Sequence, residues 1–288
     1  MSNLRKRGSV VSALPFSVSL SVSLLVFLLA TGSYCRAETS KEAAWKLIVP
    51  AAHSSSAEKR VLGIRVLGLL PGNQKAIELA EGGLLDAKAE VRAAAATALG
   101  QMHSTASIPK LQHVMSDKEI AVALAAARAL HGMKDKSAYE VYYAILAGQR
   151  KSGDGFLAEQ TAILHEPKKL EVLAFEQGIG FVPFAGMGWD ALRDILKNDP
   201  SPVQAAAATM LASDPDPASA TALVNAAHSK RWVVRVAVLE AIAKRGDPTL
   251  RVEIEAYMYD PKEEVRLAAA AAVLHLLDIA EAQGKKAN

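Results

Sequence analysis

The chain has 288 residues, 51% of them apolar and 22% charged, with 5% aromatic residues, a formal net charge of +3 and one cysteine, Cys35. A single cysteine excludes a disulfide framework and a cysteine-built metal cluster within the chain. The positive balance comes from Arg5, Lys6, Arg7 and Arg36, and residues 38–288 carry 29 basic against 30 acidic side chains. Composition therefore offers no footing for nucleic-acid binding, which needs a clustered positive surface.

The first segment reads as a leader. Arg5, Lys6 and Arg7 precede an apolar, serine-interrupted run from Leu14 to Ala30, and Cys35-Arg36-Ala37 sets small residues at −3 and −1 of a cut before Glu38. Basic start, apolar centre and small-residue cleavage site are the three parts of an export signal. Residues 1–37 are thus expected to direct the protein to the periplasm or outside the cell. An uncleaved anchor is the competing reading, although the apolar run is dense only over Leu24–Ala30, shorter than the roughly 20 residues of a span. Tyr34 argues against a lipid attached to Cys35, because a small residue belongs there. Cleavage would also remove the only thiol.

From residue 41 onward the pattern predicts helices in pairs. First helices are expected near Lys41–Ala52, Asn73–Glu81, Ile108–Met115, Ala138–Ala147, Trp189–Lys197, Ala218–Ala227 and Leu250–Tyr259. Second helices are expected near Ala57–Leu70, Ala89–Met102, Glu119–Gly132, Gly155–His165, Pro202–Ala212, Arg231–Lys244 and Lys262–Ala280. In the clearest one, Val91, Ala94, Ala95, Ala98 and Leu99 fall at i, i+3, i+4, i+7 and i+8, one helical face. Near copies begin at Val122, Val203, Val234 and Val265, with 31 residues between Val91 and Val122, Val203 and Val234, and Val234 and Val265. Arg60–Gly68 aligns with Arg92–Gly100 at 32. A fixed period of this size marks a stack of repeated units. Alanine suits it twice over, with high helix propensity and a side chain small enough for close helix contact. Asp260-Pro261-Lys262-Glu263 and Ser116-Asp117-Lys118-Glu119 read as helix starts with capping residues, as do Asp86 and Asp199-Pro200. Gly72, Gly246 and the Pro215/Pro217 pair read as breaks.

The period slips once, between Val122 and Val203. One divergent pair fits at 138–165, and about 19 residues remain over, near Pro167–Gly186. The stretch Gly178-Ile179-Gly180-Phe181-Val182-Pro183-Phe184-Ala185-Gly186-Met187-Gly188-Trp189 has no charge. The expected organisation is a signal over 1–37, repeats over 38–166, an insertion over 167–188, repeats over 189–283 and a polar tail over 284–288.

The string Asp260-Pro261 followed by Val265-Arg266 and Ala268-Ala269-Ala270, with its relatives at Asp86, Asp117 and Asp199, resembles the short HEAT-like repeats often described with phycobilisome-lyase proteins. The resemblance covers most of residues 41–283. It implies an all-α, right-handed solenoid of antiparallel helix pairs, about seven repeats long, whose usual task is to bind another protein.

Four side chains of the insertion, Phe181, Phe184, Met187 and Trp189, are the candidate partner contact. They could meet a peptide, an apolar ligand or a lipid surface, or they could plug the place where the period breaks. Arg60, Arg92, Arg235 and Arg266 share one repeat position, replaced by Gln204 and Ala123 elsewhere. They could line a groove for an acidic partner, or pair with the interhelix aspartate and neighbouring carbonyls; the two replacements favour the local role. Tyr139, Tyr142 and Tyr143 could be a contact surface or core. Helical-repeat hydroxylases of the deoxyhypusine type hold two irons with several His-Glu pairs; this chain has one, His165-Glu166, and no metal or other cofactor is expected. No Gly-x-Ser-x-Gly or phosphate-binding loop occurs.

The expected function is that of an exported, non-catalytic scaffold for a protein or peptide partner, without nucleic acid. A lyase-like chaperone for an enzyme or pigment protein is one alternative. A membrane-peripheral adaptor, held by residues 178–189 or an uncleaved N-terminus, is another.

Overall fold

The computed structural model describes residues 39–146 and 201–287, and every regular element among them is helical. Helix α1 (Ser40–Ala52) pairs with α2 (Ala57–Arg65), which tightens into a 3-10 turn, Val66–Leu69. Helix α3 (Gln74–Gly83) pairs with α4 (Ala89–Gln101), α5 (Ile108–Val114) with α6 (Ile120–Gly132), and α7 (Ala138–Leu146) packs on α6. Beyond residue 200, α8 (Ser201–Leu211) is a second helix, and α9 (Pro217–Ala226) pairs with α10 (Trp232–Arg245). The short α11 (Arg251–Ile254), flanked by 3-10 turns Pro248–Leu250 and Glu255–Tyr259, pairs with the long α12 (Glu263–Ala287). The fold is an all-α solenoid. The single helix expected over Leu250–Tyr259 is thus broken into three pieces, and α12 runs to Ala287 where a tail was expected from residue 284.

Second helices pack side by side, α2 on α4 on α6 and α8 on α10 on α12. Small side chains set the spacing. A methyl group placed on Gly100 of α4 would stand 2.7 Å from Ala129 Cβ of α6, and one placed on Gly63 would collide with the backbone of Ala52. Two real turns need left-handed backbone, and glycine supplies it at Gly72 (φ 76°) and Gly246 (φ 69°).

Helix starts depart from expectation. Aspartates 86, 117 and 260 do not cap the helices that follow them. Each sits in the turn before the helix and accepts from the backbone N–H two residues on, at 2.8 Å from Lys88, 2.9 Å from Glu119 and 2.8 Å from Lys262. The capping box read at Ser116–Glu119 does not form, because Glu119 is itself the N-cap and makes no side-chain cap bond. The aspartate carboxylates are engaged elsewhere, as described below. A capping box does form at Thr39, where the hydroxyl accepts from Glu42 N–H and the Glu42 carboxylate accepts from Thr39 N–H.

The order of repeats in space differs from their order in the chain. Helix α12 packs against α1 and against the turn at Val66–Leu69, so residues 201–287 precede 39–146 in one stack. The first and last repeats therefore face each other. Apolar burial drives this. Val265 and every residue from Leu267 to Leu274 are at most 2% exposed, all round the helix, as befits a helix enclosed on every side. Polar pairs rim the junction. Lys41 Nζ lies 3.0 Å from both Asp278 Oδ1 and Glu281 Oε1. Asn73 Nδ2 donates to Asp278 at 2.7 Å, Ser40 donates to Glu255, and Lys59 Nζ stands 3.4 Å from Glu263.

Arg65 and Glu240 join repeats that are not neighbours in the stack. They hold the same repeat position as Ala271 of the intervening α12, and that alanine is small enough for Arg65 Nη2 to come within 3.7 Å of Glu240 Oε1. Burial pushes the Glu240 carboxyl above its ordinary range, and the Arg65 charge opposes that shift.

Gly100→Ala is expected to lower stability by about 1–3 kcal/mol through overpacking against Ala129. Gly82→Ala, at an exposed helical site with open space around it, is expected to be neutral or to raise stability by up to ~1 kcal/mol. Urea unfolding of the two variants checks the opposite signs.

Candidate functional site

One edge of the stack is organised by a repeated set of polar bonds. Arg60 Nε and Nη2 donate to the two carboxylate oxygens of Asp86 at 2.7 and 2.9 Å, and Arg92 does the same to Asp117 at 2.7 and 2.9 Å. Arg235 reaches Asp260 with both bonds at 2.9 Å. In each case Nη1 turns back to two carbonyls of the arginine's own repeat: Ser54 and Ser55 for Arg60, Asp86 and Ala87 for Arg92, Ser229 and Lys230 for Arg235. One guanidinium thus ties its own interhelix turn to the turn of the next repeat, with the two-pronged geometry that makes arginine–carboxylate pairs strong. The pairs are mostly buried, with side-chain exposures of 12% and 13% for Arg92 and Asp117. Hydrogen bonding from Arg60 and Arg92 holds the carboxyls of Asp86 and Asp117 below the usual carboxylate range.

The ladder has three irregular rungs. Arg266 makes only the carbonyl half, to Asp260 and Pro261 at 2.8 and 3.1 Å; in the repeat that follows α12 in space, Ser54 holds the aspartate position. Ala123 replaces the arginine in α6 and is fully buried. At the third, Gln204 of α8 replaces the arginine and Ser229, 25 residues on, replaces the aspartate, the same separation as Arg92 to Asp117 and Arg235 to Asp260.

The residue just before each ladder aspartate or its substitute forms an exposed row. In stack order it reads His228, Tyr259, His53, Leu85 and Ser116. Leu85 is 83% and Tyr259 80% exposed, and His53 and His228 are exposed too. Aligning the turns at the 31-residue period would have revealed this row; reading helices alone misses it, because the row lies between them.

The tyrosine cluster divides. Tyr142 packs on the core, whereas Tyr139 and Tyr143 are 44% and 67% exposed with ring centroids 6.3 Å apart. His131 meets Tyr139 edge-on at 5.8 Å. Phe181, Phe184, Met187 and Trp189 lie outside the described residues, as do His165 and Glu166 and the signal read over 1–37. Among the described residues no group of three or more His, Cys, Asp or Glu is placed to hold a metal, and no helix is long and apolar enough to cross a membrane.

A family model of HEAT repeats matches this chain at residues 46–131, 79–147 and 189–274, more than half of its length. No curated protein matches it. Among solved structures it is similar to human deoxyhypusine hydroxylase in complex with glycerol, at 17% identity over 84% of this chain and 97% of that one, with a TM-score of 0.31. It is also similar to an engineered protein, at 15% identity over 82% and 97%, with a TM-score of 0.28.

Asp117→Asn keeps the shape of a rung and removes its charge, and is expected to cost about 2 kcal/mol at neutral pH. Because the Asp117 carboxyl titrates lower in the fold than in the unfolded chain, its contribution is fully present above about pH 4 and is lost as pH falls through the lowered value. Wild type and variant are therefore expected to converge as pH falls through that lowered value, as measured by urea unfolding across the acid range.

Proposed function

The chain belongs to the HEAT-repeat family, and from that premise we propose that it is an exported scaffold that binds a protein or peptide partner by shape and apolar contact, with no chemistry of its own. The observation that carries this reading is the row at the turn edge. Exposed large apolar and aromatic side chains mark interaction surfaces when they gather rather than scatter. Here Leu85, Tyr259 and two histidines recur at one repeat position along the stack. The ladder arginines make bonds within the stack and leave this row beside them for an outside partner. Export rests on the three-part leader over residues 1–37, and the uncharged stretch from Gly178 to Trp189 supplies a second apolar contact.

The test is capture from the envelope fraction with a tagged chain, followed by mass-spectrometric identification. Leu85→Ser combined with Tyr259→Ser changes exposed positions and is expected to leave stability within about 0.5 kcal/mol while reducing partner recovery by about tenfold or more. Deleting 178–188 is expected to leave most of the helicity in place and to weaken recovery as well. Undiminished recovery with both variants would overturn the binding reading, and a mature protein whose mass includes residues 1–37 would overturn cleavage before Glu38.

A further inference from the structure

We propose that the missing rung between α8 and α10 is a binding site for a small uncharged ligand that carries an amide-like donor–acceptor group on an apolar body. This goes beyond the scaffold reading and does not depend on it. In the three intact rungs the corresponding space holds an arginine side chain and the aspartate it grips. Here both halves are replaced by shorter neutral groups, Gln204 and Ser229, and a cavity of about 420 Å³ opens between α8, α9 and the start of α10. That volume falls within the range of small-molecule sites.

The turn itself keeps the shape it has in the intact rungs. Ser229 Oγ accepts from Arg231 N–H at 3.2 Å, as the ladder aspartates accept from the N–H two residues on, and Arg235 holds the Ser229 and Lys230 carbonyls from below. What is missing is the filling, not the frame. Buried Leu223 and Ala208 form the floor, with half-buried Leu211 beside them. Around the opening stand the amides of Gln204 and Asn225, the Ser229 hydroxyl and the ring of His228. His228 Nδ1 lies 3.2 Å from the Val224 carbonyl and must donate to it, which leaves Nε2 as an acceptor in the neutral ring. Every Asp, Glu, Lys and Arg of the described residues is absent from this lining. An ion at the floor would lose part of its hydration with no countercharge among the described lining residues, whereas a neutral amide exchanges water bonds for those of two amides, a hydroxyl and an imidazole.

Three near-isosteres test this on the full chain, titrated while following backbone amide resonances: neutral 2-naphthamide, which donates and accepts, anionic 2-naphthoate, which only accepts, and cationic 2-naphthamidine, which only donates. The expected result is saturable binding of 2-naphthamide with shifts confined to residues 204–234, and affinity about tenfold or more weaker for either charged isostere. The double variant Gln204→Arg/Ser229→Asp rebuilds the rung; it is expected to abolish 2-naphthamide binding and to unfold at a higher temperature than either single variant. Ala222→Leu narrows the same cavity from an exposed position and is expected to weaken binding without lowering the unfolding temperature. Equal binding of the three probes, or binding that survives both the rebuilt rung and Ala222→Leu, would overturn the proposal. So would a double variant less stable than both singles, since that would mean that another part of the chain already fills the space.

Discussion

The distance between neighbouring second helices governs what the rest of this molecule can do. Glycine and alanine at the contact, as at Gly100 against Ala129, bring the helices so close that the next methyl group would not fit. At that spacing an arginine on one second helix can reach the turn that opens the next, and the same guanidinium closes its own turn. The rung is therefore a consequence of close packing. A wider stack would leave the carboxylates of Asp86, Asp117 and Asp260 to cap their helices in the ordinary way. Instead they are drawn forward into the turn, where each satisfies a backbone N–H and an arginine together.

The junction between α12 and α1 follows a different rule. There α12 leans more on α1 and on the turn after α2 than on α2 itself, and the rung lacks its carboxylate because Ser54 stands in the aspartate position. Charged pairs around Lys41, Asp278 and Glu281 take over the rim. Enclosed by α10, α1 and the pieces around α11, helix α12 is buried on every side over Leu267–Leu274. The Arg65–Glu240 pair then spans it where Ala271 leaves room, a link between repeats that are not adjacent in the stack. Two charged groups held this way contribute little net stability beyond what packing supplies.

Much of this was legible in the residues. The Val-Arg-x-Ala-Ala phrase at a 31-residue period specifies paired helices, their faces and the sharing of one position by Arg60, Arg92, Arg235 and Arg266. The replacements at Gln204 and Ala123 were visible as well. What stayed hidden was the significance of Gln204, because its counterpart Ser229 is an unremarkable residue in a turn until the 25-residue reach from arginine to aspartate is known. The exposed row through Leu85 and Tyr259 was hidden for the same reason: it belongs to turns, and helical periodicity says nothing about turns.

The sequence by itself determined the secondary structure and the local unit, since helix propensity, apolar period and turn residues act over a few neighbours and repeat every 31 positions. Only the tertiary structure decided the order in which those units stack. An apolar helix face packs on apolar surface regardless of chain distance, and α12, already packed on α10, covers its other side with α1, more than 200 residues away in the chain. The same holds for each rung. Whether an arginine grips a carboxylate or a pair of carbonyls alone is settled by which turn the stack brings opposite it.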